Sequence, residues 1–343
     1  MAVTNKALLT QSYDFSLPEE LIAAYPATPR DSARLLVYDR KTDTITHAVF
    51  RDIENYIPTE AALIFNNTKV IKARLYGKKS SGGKVELLIN RPLSAYDISV
   101  YIRGRVKEKT VLEFDGALKA EVVKLNEDGS RVVRFLHNDK VLRFEELLPI
   151  LDTIGHIPLP PYLQREDEKL DEEEYQSVFA KKEGAVAAPT ASLHFTQELY
   201  EQITTTHPFA EVTLHVGSGT FKPVEAEVIT DHPMHSEYYE IPPKAKELLD
   251  SDIPVLAVGT TSTRTIEYYA RTKQTRGEAN LFLHPLNPPK RVNHLLTNFH
   301  LPKSTLIMLV ASFVGLEKTL ELYETAIAHR YRFYSYGDAM LIL

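Results

Sequence analysis

The stretch Val212-Thr-Leu-His-Val-Gly-Ser-Gly-Thr-Phe-Lys-Pro-Val224 joins an apolar run to a turn that contains two glycines. The β-branched run Val212–Val216 predicts a buried strand. Gly217 and Gly219 follow, and glycine tolerates positive φ and lets a ligand approach the backbone. His215 places an imidazole beside that turn. A strand that ends in this way predicts a small-molecule site in a mixed α/β protein, although a tight turn with a packed histidine explains the same residues.

The composition is that of a folded globular chain. Its 343 residues suffice for two domains, and apolar residues make up 43% and charged residues 25%. Cysteine is absent, which excludes disulfides, thiolate metal sites and cysteine nucleophiles. No apolar run is long enough to span a membrane, and no signal-peptide pattern begins the chain. We therefore expect a cytoplasmic protein, without a metal site.

The pattern of apolar and polar residues divides the chain into two domains. In residues 1–73 and 152–343, apolar strands alternate with helical patterns, which predicts a discontinuous, barrel-like α/β domain. Residues 74–151 hold short alternating strands separated by glycine turns, such as Asp115-Gly116 and Asp128-Gly129. That pattern predicts a small inserted β-barrel domain.

Positive charge is concentrated in one region, although the chain carries a net charge of −6. Between Asn66 and Lys109 there are eleven Lys and Arg residues and three acidic ones. A local basic patch of this kind favours contact with a polyanion, and a solvated face on a β-domain is the alternative. The neighbouring pair Asn66-Asn67 supplies amide groups that suit a nucleobase edge or a simple turn.

Polar residues also follow other predicted strands. The apolar run Val255–Val258 leads into Gly259–Arg264, and we expect a helix to begin at Thr265. Hydroxyls and free N–H groups at a helix N-terminus form an anion site. The run Leu295–Ser304 repeats the order of strand, polar turn and helix start. The sequence therefore predicts that several strand ends line one site.

These motifs, taken together and in order, resemble the S-adenosylmethionine:tRNA ribosyltransferase-isomerase family of queuosine biosynthesis. The resemblance covers nearly the whole chain. The matching runs are Arg30–Leu35, Asn66–Val70 with Ala73–Leu75, Gly83–Leu88, Pro158–Tyr162, Ala188–Ala191 with Leu193–Thr196, Thr213–Val224, Met234-His235 with Glu237, Val258–Arg264, Thr297–Met308, and Tyr331-Arg332-Phe333 through Asp338-Ala339-Met340.

The resemblance implies an α/β domain with a smaller β-barrel domain, and a particular reaction. S-adenosylmethionine would serve as ribosyl donor and co-substrate, with no permanently bound cofactor. The acceptor would be 7-aminomethyl-7-deazaguanine at the tRNA wobble position. The product would be epoxyqueuosine, with adenine and methionine released. We expect the enzyme to act as a monomer.

That chemistry needs a base beside the sulfonium, a group that helps adenine to leave, and a neutral acceptor amine. Histidine suits the base, and His215 is our first choice. Position and chemistry give three candidate sets. The catalytic set is His215, Asp338, His235 and His194. The substrate-binding set is Gly217, Gly219, Thr261, Ser262, Thr263, Arg264, Asn298, His300 and Lys303. The tRNA-binding set is Asn66, Asn67, Lys69, Arg74, Lys78 and Lys79.

Two other functions explain part of the sequence. An S-adenosylmethionine-dependent tRNA methyltransferase would carry its Gly-x-Gly turn early in the chain, whereas Gly217-Ser218-Gly219 comes late. A non-catalytic RNA-binding protein explains the basic β-domain but not the polar strand ends. The twelve histidines show no His-Glu-x-x-His spacing, which leaves a metal hydrolase without support.

Overall fold

In a computed structural model that describes residues 5–217, 219 and 224–343, the strands form two large sheets and one short pair. In chain order the strands are β1 (Arg34–Asp39), β2 (Thr44–Val49), β3 (Ala62–Asn66), β4 (Thr68–Val70), β5 (Arg74–Lys79), β6 (Lys84–Pro92), β7 (Ile98–Arg103), β8 (Val111–Phe114), β9 (Leu118–Leu125), β10 (Arg131–His137), β11 (Lys140–Val141), β12 (Lys182–Ala185), β13 (Phe209–Leu214), β14 (Glu237–Glu240), β15 (Val255–Val258), β16 (Arg276–Ala279), β17 (His294–Asn298) and β18 (Ala339–Ile342). The helices are α1 (Phe144–Ile154), α2 (Asp171–Glu174), α3 (Gln197–Thr206), α4 (Pro243–Asp250), α5 (Gly259–Thr272), α6 (Thr305–Val314) and α7 (Leu316–Ala328).

The larger sheet has nine strands in the order β16-β14-β13-β3-β15-β17-β18-β1-β2. Its centre is parallel, because β13, β3, β15 and β17 run in the same direction. β3 and β15 are buried along their whole length. Along β3, Leu63 and Phe65 pack into one core and Ile64 into another. Continuous apolar strands of this kind are typical of a sheet that is covered on both faces.

The second sheet closes into a barrel. Its seven strands follow the order β11-β10-β7-β6-β5-β8-β9, and β9 also pairs with β10 to complete a ring of six. Inward-facing apolar side chains alternate with outward ones, as in β6, where Val85, Leu87 and Ile89 are buried. α1 packs Leu147 and Leu151 against the same core. The predicted fold class, a mixed α/β domain with an inserted β-barrel, is confirmed.

One predicted boundary is wrong. The expected loop Gly259–Arg264 forms the first turns of α5, which begins at Gly259 and not at Thr265. Gly259 makes this direct entry possible, because its φ of +91° is rarely adopted by other residues. Hydroxyl groups then bond back along the helix, from Thr263 to the carbonyl of Gly259 at 3.0 Å and from Thr265 to that of Thr261 at 2.9 Å.

Candidate active site

A cavity opens at the edge of the sheet where β15 and β17 end and β18 begins. β15 contributes the start of α5, β17 contributes Thr297 and Asn298, and the loop before β18 contributes Tyr334 and Ser335. Small residues of the segment 187–191 form another wall. The carboxyl ends of parallel strands are where open α/β sheets bind ligands.

The N-terminus of α5 gives the cavity an electropositive end. Gly259, Thr260 and Thr261 line the cavity, and none of the side chains that the structure describes caps the helix. The first backbone N–H groups of a helix lack intrahelical partners, and the helix dipole adds partial positive charge there. Asn66 holds this turn by donating its amide to Oγ1 of Thr261 at 3.1 Å. The arrangement suits a carboxylate or phosphate.

The end of β17 supplies polar groups in the middle of the cavity. Asn298 donates its amide to the carbonyls of Tyr334 at 2.9 Å and Ser335 at 3.4 Å. Nε2 of His300 lies 2.7 Å from Oγ1 of Thr297. Burial lowers the pKa of His300 to about 3, so its imidazole is neutral at physiological pH. Asn298 and His300 of the predicted substrate set therefore line the cavity.

His194 lies close behind the cavity wall. It is buried, and burial lowers its pKa to about 4, against the opposing effects of Asp338 and Asn298. Nε2 of His194 and Oδ1 of Asn298 are both buried, and the side chain of Asn298 interacts with the imidazole of His194 and favours its charged form.

The carboxylate of Asp338 forms hydrogen bonds with backbone N–H groups. Its carboxylate accepts the N–H groups of Arg34 at 2.9 Å and Arg332 at 2.8 Å, and the guanidinium of Arg332 lies 3.3 Å away. The side chain is 1% exposed. These contacts close the turn that presents Tyr334 to the cavity, and Asp338 is not itself among the residues that line the cavity.

His215 lies beside the cavity in a separate cluster. Its Nδ1 is 2.8 Å from Oγ1 of Thr68, and its ring stacks on Tyr238 with centroids 5.8 Å apart. Burial lowers the pKa of His215 to about 4. The following residue, Val216, does line the cavity. His215 thus flanks the glycine turn, whose residues 218 and 220–223 lie outside the described part of the chain.

Glu237 joins the glycine turn to α5. It is 2% exposed, forms an ion pair with Arg264, and accepts the N–H of Gly217 at 2.9 Å. Nε2 of His235 lies 3.4 Å from Oε1 of Glu237. Burial lowers the pKa of Arg264 to about 10, which leaves the guanidinium charged at neutral pH.

Gly219 packs on the ring of His235, because a Cβ built on this glycine would lie 2.8 Å from Cγ of that histidine. The structure therefore brings His235, Gly217, Gly219 and Arg264 into one group around Glu237, next to the cavity.

The other predicted substrate residues are dispersed. Ser262 is fully buried, and its hydroxyl has no partner in the described part of the chain. Thr263 is buried and bonds within α5. Lys303 forms an ion pair with Asp14 at 3.0 Å and is not among the residues that line the cavity.

The residues predicted to contact tRNA fall into a buried and an exposed group. Asn66 and Asn67 are buried, and their side chains form hydrogen bonds inside the protein, to β13, Thr261 and Glu211.

The basic residues of the set lie nearer the surface. Arg74 pairs with Glu86 and donates to the carbonyl of Leu159. Lys69 pairs with Glu183, and Lys79 donates to the carbonyl of Arg105. Lys78 is exposed on the barrel.

Sequence reasoning missed three groups at this site. Glu237 is the centre of the second cluster, and its spacing of two from His235 at a strand start was the available signal. Thr297 precedes Asn298 at the end of β17 and follows the same strand-end rule. Tyr162 and Tyr334 come from separate loops, and the available signal was that both lie in runs that match the family, Pro158–Tyr162 and Tyr331–Met340.

Among the described residues, no group of three or more His, Asp or Glu side chains is arranged to hold a metal ion. The same residues include no helix that is both long and apolar enough to cross a lipid bilayer.

Comparison with known proteins gives a consistent family. The family described as "Queuosine biosynthesis protein" matches residues 10–342. The S-adenosylmethionine:tRNA ribosyltransferase-isomerase of Sulfurimonas denitrificans is 68% identical over 99% of this chain and all of its own length. The protein of the same name from Nitratiruptor is 64% identical over 98% of this chain and 99% of its own. The crystal structure of S-adenosylmethionine tRNA ribosyltransferase from Thermotoga maritima is 35% identical, with a TM-score of 0.53, and covers 97% of this chain and all of its own.

Proposed function

The chain belongs to the queuosine-biosynthesis family of S-adenosylmethionine:tRNA ribosyltransferase-isomerases, and from that premise we propose its reaction. It transfers the ribosyl group of S-adenosylmethionine to 7-aminomethyl-7-deazaguanine at the tRNA wobble position and isomerises it. The product is epoxyqueuosine-tRNA, and adenine and methionine are released. The observation that carries the proposal is the cavity at the carboxyl ends of β15 and β17, which joins an anion-binding helix end to buried polar side chains.

The methionine carboxylate of the donor binds at the N-terminus of α5. Thr260 and Thr261 line the cavity there, and the N–H groups of that turn are available to an anion. Arg264 does not bind this carboxylate directly, because Glu237 already neutralises it. The helix end supplies the charge complementarity instead.

Two histidines are placed to remove the proton beside the sulfonium. His300 lines the cavity, and His215 flanks the glycine turn. Both are neutral at physiological pH, because burial holds the pKa values at about 3 and about 4, respectively. A neutral imidazole can accept a proton, although its lowered pKa makes it a weaker base than an exposed histidine. We keep His215 as the first choice because its cluster adjoins the glycine turn.

The tRNA binds across the barrel, which we propose to be a domain of residues 74–151. The strand β6 leads from the barrel surface towards the site, where Oδ1 of Asn90 lies 3.6 Å from a Cβ built on Gly217. Arg91 forms a solvent-exposed ion pair with Glu278 of β16 at 3.1 Å, which links the barrel to the edge strand of the large sheet. Exposed cations such as Lys78, Arg105 and Lys107 then face the phosphate backbone. We further propose that the enzyme is a cytoplasmic monomer and that S-adenosylmethionine is a co-substrate, with no resident cofactor.

One assay tests the reaction. The protein is incubated with S-adenosylmethionine and tRNA that carries 7-aminomethyl-7-deazaguanine, and the small-molecule products are separated. Free adenine and methionine, with a ribosyl label retained on the tRNA, are the expected result. S-adenosylhomocysteine would identify a methyltransferase, and binding without turnover would identify an RNA-binding protein.

A further inference from the structure

Two tyrosines from separate loops meet in the wall of the cavity. Tyr162 and Tyr334 both line it, with ring centroids 4.5 Å apart and planes inclined by 50°. The hydroxyl of Tyr162 lies 2.5 Å from Oγ of Ser335, which anchors one ring on the loop that carries the other. Phe299 lines the same cavity. This end of the cavity is therefore aromatic and apolar, with hydroxyls at its margin.

The backbone around Tyr334 is held in an unusual conformation. Its φ is +74°, a region that non-glycine residues adopt rarely and at an energetic cost. Three contacts maintain it: Asn298 donates to the carbonyl of Tyr334, the N–H of Tyr334 donates to the carbonyl of Phe299, and Gly337 donates back to Tyr334. Strained residues held by several contacts are concentrated at ligand sites.

The order of strands places this aromatic wall two strands away from the anion site. Along the sheet edge β15 carries the start of α5, β17 carries Asn298, and β18 follows the loop with Tyr334. Neighbouring strands lie about 4.8 Å apart, so β15 and β18 are separated by roughly 10 Å. A ligand that spans this distance would have an anionic group at one end and a planar ring at the other.

We infer that Tyr334 and Tyr162 form the adenine subsite and fix the direction of the bound donor. The inference rests on the proposed function, and it goes beyond it by naming residues that select the planar base. Adenine packs against the tyrosine rings near β18, and the methionine carboxylate lies at the N-terminus of α5 near β15. Aromatic rings bind bases by stacking, and this contact tolerates loss of a hydroxyl but not loss of a ring.

Tyr334→Asn tests this assignment, because asparagine tolerates positive φ and so removes the ring while retaining the backbone conformation. Tyr334→Phe is the matched control, since it keeps the ring. Transfer of a ribosyl label from S-adenosylmethionine to tRNA is measured with free adenine and free methionine as separate inhibitors. We expect Tyr334→Asn to raise the inhibition constant of adenine about tenfold and that of methionine less than about twofold. Tyr334→Phe should match the unchanged protein for both inhibitors.

Two further measurements separate the possible failures. Thr261→Val, at the other end of the cavity, should raise the inhibition constant of methionine and leave that of adenine unchanged. Thermal unfolding of each variant shows whether it is folded. If Tyr334→Asn raises the inhibition constant of methionine selectively, or leaves both inhibition constants unchanged, the direction of binding that we infer is overturned. If the unchanged protein releases no adenine from S-adenosylmethionine and tRNA, the proposed function itself fails, whatever the variants do.

Discussion

The imidazole of His215 lies directly over the backbone of Gly184. A Cβ atom built on Gly184 would lie 2.9 Å from both Cε1 and Nε2 of His215, closer than real Cβ atoms approach other heavy atoms. The φ of Gly184 is +148°, which a side chain also disfavours. With Thr68 bonded to Nδ1 on the other side, the ring is held from two directions.

Gly184→Ala should therefore move the imidazole of His215. If His215 is the base, a displacement of about 1 Å should lower the rate of adenine release about 100-fold. Single-turnover release of adenine measures this effect. Gly82→Ala is the control, because Gly82 also has positive φ, at +87°, but no atom within 4 Å of the added Cβ. If Gly184→Ala turned over as fast as Gly82→Ala, His215 would be excluded as the base.

The low pKa values of the two candidate bases predict the acid limb of the pH profile. A base must be neutral to accept a proton, and burial holds the pKa of His215 at about 4 and that of His300 at about 3. The neutral fraction therefore stays near its maximum as the pH falls from 8 to about 5, and it decreases only as the pH approaches 4. We expect kcat/KM for S-adenosylmethionine to be flat over that range. A midpoint near 6.5 would instead indicate an exposed histidine of ordinary pKa.

We expect the buried ion pair of Glu237 and Arg264 to contribute strongly to the free energy of unfolding. Glu237→Gln leaves a charged guanidinium that is only 5% exposed without its partner. Removing one member of a buried pair costs about 3–5 kcal/mol of the free energy of unfolding. Urea unfolding measures this cost, with Glu240→Gln on the same strand as control. A loss below about 1 kcal/mol for Glu237→Gln would show that solvent reaches Arg264.

Much of the fold was predictable because its signals are local. The strands β3 and β15 are continuous apolar runs, and the barrel strands are alternating runs bounded by glycine turns. The start of α5 was not predictable in this way, since a run of Thr and Ser favours loops unless the hydroxyls bond back to helical carbonyls. Those bonds, from Thr263 and Thr265, are visible only in the folded chain.

The candidate site was predictable only in part. The rule that polar residues follow parallel strands found Thr261 and Asn298, which do line the cavity. It also selected Asn66, which is fully buried and holds β13 and α5 together. An asparagine that contacts a ligand and one that joins two elements look the same in a sequence, because both follow an apolar strand. Only their packing in the folded protein distinguishes the two kinds of asparagine.

Exposed cations on the barrel should make tRNA binding strongly dependent on salt. Each phosphate contact displaces condensed counterions, so the logarithm of the affinity falls linearly with the logarithm of salt concentration. Lys78→Ala should reduce the size of that slope by about 1, because Lys78 is exposed on the barrel. Lys246→Ala on α4, where the lysine pairs with Asp250, is the control. Binding that does not change with salt would place the tRNA on another surface.

Asp338→Asn tests whether the predicted catalytic carboxylate acts through the loop that it closes. Its two oxygens accept backbone N–H groups of Arg34 and Arg332, so an amide would turn an NH₂ group towards one of these donors. We expect a loss of about 1–3 kcal/mol of stability. Because the same loop holds Tyr334, the KM for S-adenosylmethionine should rise more than kcat falls. Asp139→Asn, at an exposed position on the barrel, controls for the loss of charge. A fall in kcat at unchanged KM would instead mean that Asp338 acts on the reacting groups, because a loop that only positions the donor affects binding first.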